Sequence, residues 1–110
     1  MRTIANNTIA VIGAGSWGTA LAVLLSKNGH KVNLWVYERK DYEAIVREGE
    51  NRRYLPGVSI PSNVDIHFNL NDAVEGQDII LLAVPSHAVR QTAGRLAPHV
   101  GDNPIIINAA

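Results

Sequence analysis

Six residues, Gly13-Ala14-Gly15-Ser16-Trp17-Gly18, constrain the fold of this chain through what stands on either side of them. The apolar run Thr8–Ile12 leads into them, and a second apolar run, Thr19–Leu25, leads away. Strand, glycine-rich turn and helix in that order open a βαβ unit, with Gly-x-Gly-x-x-Gly at the junction. Gly13 permits a tight exit from the strand, and Gly15 leaves the main chain bare for a pyrophosphate to lie against it. Gly18 lets the helix press close to the sheet. The unpaired N–H groups and positive dipole end of that helix then face the phosphates. The competing reading is a purely structural turn in another α/β fold, such as a methyltransferase. An acidic residue at the end of the second strand favours a dinucleotide. Glu38 stands there, about 20 positions after Gly18, where a carboxylate accepts ribose hydroxyls and repels a 2′-phosphate.

Strands and helices alternate along the rest of the chain. The first helix runs from Ser16 to about Asn28, with Gly29 at its C-cap and Ala20, Leu21, Leu24 and Leu25 expected as its buried stripe. Val32–Tyr37 is β-branched and aromatic and reads as the second strand. Asp41–Glu50 reads as a short polar helix with Tyr42, Ala44 and Ile45 turned inward. Pro56, Gly57 and Pro61 break regular structure, which makes Asn51–Asn63 an ordered loop. Val64–Phe68 is a short third strand, and Asn69 or Asn71 caps a brief helix to Glu75 that Gly76 closes. Ile79–Val84 is apolar at every position, as in strands of parallel sheets buried on both faces. Pro85 stops it. Ser86 is then expected to cap a helix to about Ala97 with Val89, Ala93, Leu96 and Ala97 at helical spacing. Pro98, Gly101 and Pro104 form a break before Ile105–Ile107, read as another buried strand.

This order specifies an α/β fold with a Rossmann-type parallel sheet. A doubly wound dinucleotide fold has about six strands, and about five are legible. Residues 1–110 are therefore expected to be the N-terminal part of a dinucleotide-binding domain.

Composition narrows the partners. Ten basic residues balance ten acidic ones, so no net field favours nucleic acid or an anionic membrane. The chain has no cysteine, which excludes disulfides, thiolate nucleophiles and Cys-ligated metals and fits a cytoplasmic protein. Met1–Asn7 lacks the apolar core of a signal peptide. The longest apolar run, Ile79–Pro85, falls far short of the roughly 20 residues needed to span a bilayer. His30, His67, His87 and His99 have no metal-ligand spacing and read as surface residues, with His87 nearest a strand edge. No Ser–His–Asp arrangement can be argued from spacing, and Arg52-Arg53-Tyr54 alone is too short for a nucleic-acid site.

Several candidate residues keep two readings. Arg39 and Lys40 follow Glu38 at once and can hold the 2′-phosphate that Glu38 would repel, so NAD and NADP both stay open. Trp17 either packs over a neighbouring loop or walls the cofactor site. Val84-Pro85-Ser86 ends the fourth strand at the level of a nicotinamide ribose, or is merely a strand terminator with a helix cap.

The run Ile9–Ala22, with Gly-Ser-Trp-Gly-Thr-Ala inside it, resembles the opening of NAD(P)-dependent glycerol-3-phosphate dehydrogenase. Asn28-Gly29-His30 with Leu34-Trp35, then Asn51-Arg52-Arg53-Tyr54-Leu55-Pro56-Gly57, then Ala83-Val84-Pro85-Ser86 with Arg90 follow in the family's order. The resemblance covers Thr8 to Ala110. It implies reversible hydride transfer between sn-glycerol 3-phosphate and dihydroxyacetone phosphate, supplying the backbone for phospholipid synthesis. It assigns the backbone of Ser16 and Trp17 to the pyrophosphate, and Tyr54 with the end of the second strand, Tyr37–Arg39, to the adenosine half. It places a first catalytic lysine in a Lys-Gly pair after the fifth strand. A second lysine and the substrate-phosphate ligands belong to a C-terminal helical domain absent from this chain. The family commonly has a small residue and then a basic one after Leu-Trp. Here Val36-Tyr37-Glu38 precedes Arg39, which tips the reading toward NAD or dual use.

The expected cofactor site is thus Gly13, Gly15, Ser16, Trp17, Gly18, Tyr37, Glu38, Arg39, Tyr54, Val84 and Pro85, with no catalytic residue and no metal. The 110 residues alone are expected to lack turnover, and uncovered sheet edges leave a homodimer open. Two alternatives stand beside this reading: another hydroxyacid-type dehydrogenase, and a stand-alone nucleotide-sensing module.

Overall fold

β-branched and aliphatic residues at every position of Thr8–Ile12 suit a strand covered on both faces, and this strand, β1, is the middle of the sheet. The computed structural model describes residues 7–99 and 104–109. The expectations for the extreme N-terminus, Gly101 and Ala110 lie outside them. β2 is Lys31–Trp35, β3 Val64–His67, β4 Ile79–Leu82 and β5 Ile105–Asn108. All pair in parallel in the order β3-β2-β1-β4-β5. The chain reverses its direction of progress across the sheet between β1 and β4, the place where open α/β sheets bind ligands.

The helices are α1 (Ser16–Lys27), α2 (Arg39–Glu48), α3 (Leu70–Val74) and α4 (Val89–Leu96). Side chains alternate faces along each strand, which splits the core in two. Ala10, Ile12, Trp35, Ile80 and Leu82 pack with Leu70, Ala73 and Val74 of α3 and Leu96 of α4. Ile9, Val11, Val32, Leu34 and Leu81 pack with Ala22 of α1 on the other face.

Four local expectations are corrected. The buried stripe of α1 is Gly18, Thr19, Ala22, Val23 and Ser26, while Leu24 is exposed and Ala20, Leu21 and Leu25 are only partly covered. The helix lies close to the sheet, so mostly small residues fill the buried contact and Leu25 packs only at its margin. α2 starts at Arg39 and stops before Gly49, whose φ of 71° is the left-handed C-cap conformation glycine adopts freely. Ser86 does not cap α4: a 3-10 turn, Ser86–Ala88, comes first, and neither N-cap makes a side-chain hydrogen bond. Within α4 the buried residues are Thr92 and Leu96, whereas Ala93 and Ala97 beyond it are exposed.

The fifth strand is also corrected. Ile105, Ile106 and Ile107 are 60, 52 and 44% exposed. β5 is the outermost strand and pairs with β4 alone among the described residues, so an apolar run that reads as central lies at an edge. The second and fourth strands end sooner than expected, at Trp35 and Leu82. Asn69 does cap α3, its side chain accepting from the Asp72 N–H.

Candidate functional site

The register brings the carboxyl ends of the strands to one level. Ile12 pairs with Trp35 and Leu82, and those two pair with His67 and Asn108. Gly13, Val36, Phe68, Ala83 and Ala109 therefore follow along one edge of the sheet. A cleft of about 710 Å³ opens above this edge, within the range of small-molecule sites.

The glycine turn forms its floor, and its three glycines do different work. Gly13 has φ of 120°, and a Cβ there would lie 2.9 Å from the Ala83 carbonyl oxygen. A Cβ on Gly18 would lie 1.8 Å from the Gly13 carbonyl oxygen, inside any contact an atom can hold. Gly15 is the opposite case: its Cβ would meet nothing within 4 Å, and its φ of −74° suits any residue. Space at Gly15 is thus kept open on the cleft side rather than required by the fold. Gly15 is also the N-cap of α1, which has no side-chain cap and no acidic residue in its first turn. The first-turn N–H groups have no partner within the helix and remain for a ligand or water.

Gly13, Gly15, Ser16 and Trp17 line the cleft on this side, and Val84 and Pro85 line it beyond β4. Tyr37, Glu38 and Tyr54 complete the far wall. Two expected residues do not line it. Gly18 lies beneath, against the Gly13 backbone. Arg39 turns away, its guanidinium 4.7 Å from the Phe68 ring centroid, and lines a neighbouring cavity.

Trp17 lines the cleft and also makes a structural contact. Its ring is 56% exposed in the cleft, while Nε1–H donates to the Ala109 carbonyl at 2.6 Å. It thereby ties the glycine turn to the end of β5. The Ser16 hydroxyl donates to the Tyr54 carbonyl at 2.6 Å, which leaves the Ser16 main chain for the cleft. Arg52 sits near Glu48 and Glu50, and Arg53 pairs with Asp41 at 3.3 Å. The basic cluster in the loop is therefore locally balanced.

Asn51 is the residue that sequence reasoning passed over. It is 2% exposed and lies where the loop crosses behind the glycine turn. Its Nδ2 donates to the Ala14 carbonyl at 2.8 Å and to the Thr19 hydroxyl at 2.9 Å, and the Tyr54 N–H donates to its Oδ1 at 3.4 Å. One amide thus fixes Tyr54 relative to the turn. Its place at the head of the Asn-Arg-Arg-Tyr-Leu-Pro-Gly block was the available signal. Asn51→Ala strands a part-buried carbonyl and a buried hydroxyl, and the expected loss is about 2 kcal/mol, read by urea denaturation. An unchanged midpoint and slope would contradict this role.

His87 lines the cleft as an exposed side chain, whereas His30 Nδ1 and His67 Nε2 are buried atoms without a hydrogen-bond partner. Among the described residues, no group of three or more His, Cys, Asp or Glu is placed to hold a metal ion, and no helix is long and apolar enough to cross a membrane.

The family model described as NAD-dependent glycerol-3-phosphate dehydrogenase N-terminus matches residues 8–110. A glycerol-3-phosphate dehydrogenase (NAD(P)+) of Moorella thermoacetica is 47% identical over 103 residues, covering 94% of this chain and 31% of that protein. Its counterpart in Fusobacterium nucleatum is 42% identical over 102 residues, covering 93% and 30%. The crystal structure of glycerol-3-phosphate dehydrogenase from Coxiella burnetii superposes with a TM-score of 0.89 at 39% identity, covering 94% of this chain and 32% of that one. The chain thus spans about 30% of the length of the curated relatives it matches.

Proposed function

This chain belongs to the family described as NAD-dependent glycerol-3-phosphate dehydrogenase N-terminus, and on that footing we propose that its cleft holds a nicotinamide dinucleotide, NAD or NADP. The observation that carries this reading is the open space at Gly15. It is a bare stretch of backbone at an uncapped helix N-terminus, in a turn whose other two glycines are needed for packing. A pyrophosphate fits that cradle by charge and by shape.

In this reading the first-turn N–H groups of α1 hold the pyrophosphate, and Ser16 and Trp17 contribute main chain to it. Tyr37, Glu38 and Tyr54 border the adenosine half. Val84 and Pro85 border the nicotinamide ribose, and the Trp17 ring shields the cleft from water. The bound nicotinamide supplies or accepts the hydride. Glycerol 3-phosphate and dihydroxyacetone phosphate are the proposed substrate pair, matching the names of the relatives. The general base and substrate-phosphate ligands are assigned to the part of the protein corresponding to the relatives' remaining length. A cytoplasmic setting, a role in phospholipid synthesis and a homodimer belong to the same reading.

The test uses the intact protein with NADH or NADPH and dihydroxyacetone phosphate. Oxidation of the reduced cofactor that depends on that substrate is expected. Tight cofactor binding without any oxidation would overturn the enzyme assignment and favour a nucleotide-sensing module. Turnover only with other oxo-acids would favour a different dehydrogenase.

A further inference from the structure

A second cavity adjoins the cleft across Trp35, Tyr37 and Arg95, which line both. Arg39 from the start of α2 and Arg95 from the end of α4 line it, whereas Glu38 does not. The remaining wall is aromatic, aliphatic or amide: Phe68, Asn69, Leu70 and Asn71. No carboxylate lines this cavity among the described residues.

The two guanidinium groups are held by rings rather than by acids. Arg39 lies over Phe68 at 4.7 Å, and Arg95 lies over Trp35 at 5.3 Å and near Tyr37 at 5.9 Å. Among the described residues neither makes an ion pair. Arg53 is the contrast: it also lies over a ring, Tyr54, but Asp41 balances its charge. An arginine stacked on an aromatic face keeps its N–H donors in the plane of the guanidinium, free for an anion. Two such groups beside one cavity without a carboxylate in its described lining make a site for a dianionic phosphate monoester.

We propose that Arg95, together with Arg39, binds the 2′-phosphate of NADP and so decides how well the protein accepts it. This rests on the dinucleotide reading of the cleft. Glu38 lines the cleft, Arg39 the second cavity, and Arg95 both. A free ribose hydroxyl pair turns toward Glu38, and a 2′-phosphate turns toward the arginines. Dual cofactor use follows from two separate anchors rather than from one ambiguous residue. Arg95 carries the choice because it lines both the cleft and the second cavity, whereas Arg39 lines the second cavity alone.

The test is titration of the intact protein with NADPH and NADH, for the wild type, Arg95→Met, Arg95→Lys and Arg39→Met. Arg95→Met is expected to weaken NADPH about 10- to 100-fold more than NADH, as for loss of a charge-assisted hydrogen bond. Arg95→Lys recovers part of the difference, and Arg39→Met shows a smaller shift of the same sign. 2′,5′-ADP should compete better than 5′-ADP against wild type, with that advantage lost in Arg95→Met. Inorganic phosphate alone at the same concentration should compete weakly. Equal weakening of NADH and NADPH would overturn the proposal, because Arg95 would then serve the adenosine common to both. An unchanged ratio for Arg95→Met would overturn it as well. Failure of the wild type to bind either dinucleotide would instead overturn the reading of the cleft on which it rests.

Discussion

Gly18→Ala is expected to unfold or severely destabilise the chain, by at least about 3 kcal/mol. The added Cβ would lie 1.8 Å from the Gly13 carbonyl oxygen and 2.9 Å from the Gly13 carbonyl carbon, and both belong to backbone that cannot step aside. Relief requires α1 to lift from the sheet. That motion would open the contact of Thr19, Ala22, Val23 and Ser26, which are all buried at the helix–sheet contact. It would also pull Thr19 from Asn51 and so loosen the loop that carries Tyr54. Gly94→Ala is the matched control. Gly94 sits inside α4 with nothing within 4 Å of a Cβ, so alanine there should be neutral or stabilising by up to about 1 kcal/mol. Denaturant unfolding of the two variants beside wild type checks both signs. A Gly18→Ala protein of ordinary stability would show that the close approach of helix and turn is not required.

Much of this architecture was legible from local chemistry. Gly-x-Gly-x-x-Gly between an apolar strand and a helix implied the first βαβ unit, and the all-apolar Ile79–Val84 implied a strand covered on both faces, of which Ile79–Leu82 forms. The same logic misplaced β5. Three isoleucines in a row read as buried, yet no periodicity tells a central strand from an edge strand. The inner face of α1 was missed for a different reason. Hydrophobicity pointed to Ala20, Leu21, Leu24 and Leu25, but the fully buried positions are Gly18, Thr19, Ala22, Val23 and Ser26, with Leu25 only at the margin. The separation between helix and sheet is set by Gly18, so the glycine held the information in a form that a hydrophobic pattern does not read.

The candidate site divides along the same line. Residues beside the strand ends, from Gly13 to Trp17 and from Val84 to Pro85, follow from the motif because parallel pairing brings all carboxyl ends to one edge. Asn51 and Arg95 were not legible. Asn51 acts through a buried amide across 37 residues to Ala14 and 32 to Thr19. Arg95 reaches Trp35 and Tyr37 only because α4 returns over the sheet. Arg39 was expected in the cofactor site, but its guanidinium lies over Phe68 and lines the second cavity rather than the cleft.

Gly15→Val is the second variant with a large expected effect, and its logic is the reverse of Gly18. Nothing lies within 4 Å of the new Cβ and φ is −74°, so the fold accepts the side chain. Its cost to stability is the weaker N-cap, about 1 kcal/mol at most. The same branched side chain projects into the space where a pyrophosphate would meet the backbone, and it blocks access to the first-turn N–H groups of α1. Binding should fall by roughly 100-fold or more, since several charge-assisted hydrogen bonds are lost together.

Calorimetric titration of NADH into intact wild type and Gly15→Val, with melting curves of both, tests the cofactor cradle most directly. Saturable binding by the wild type is expected, and none measurable in a Gly15→Val protein that melts close to wild type. Equal affinity in the two proteins would contradict it.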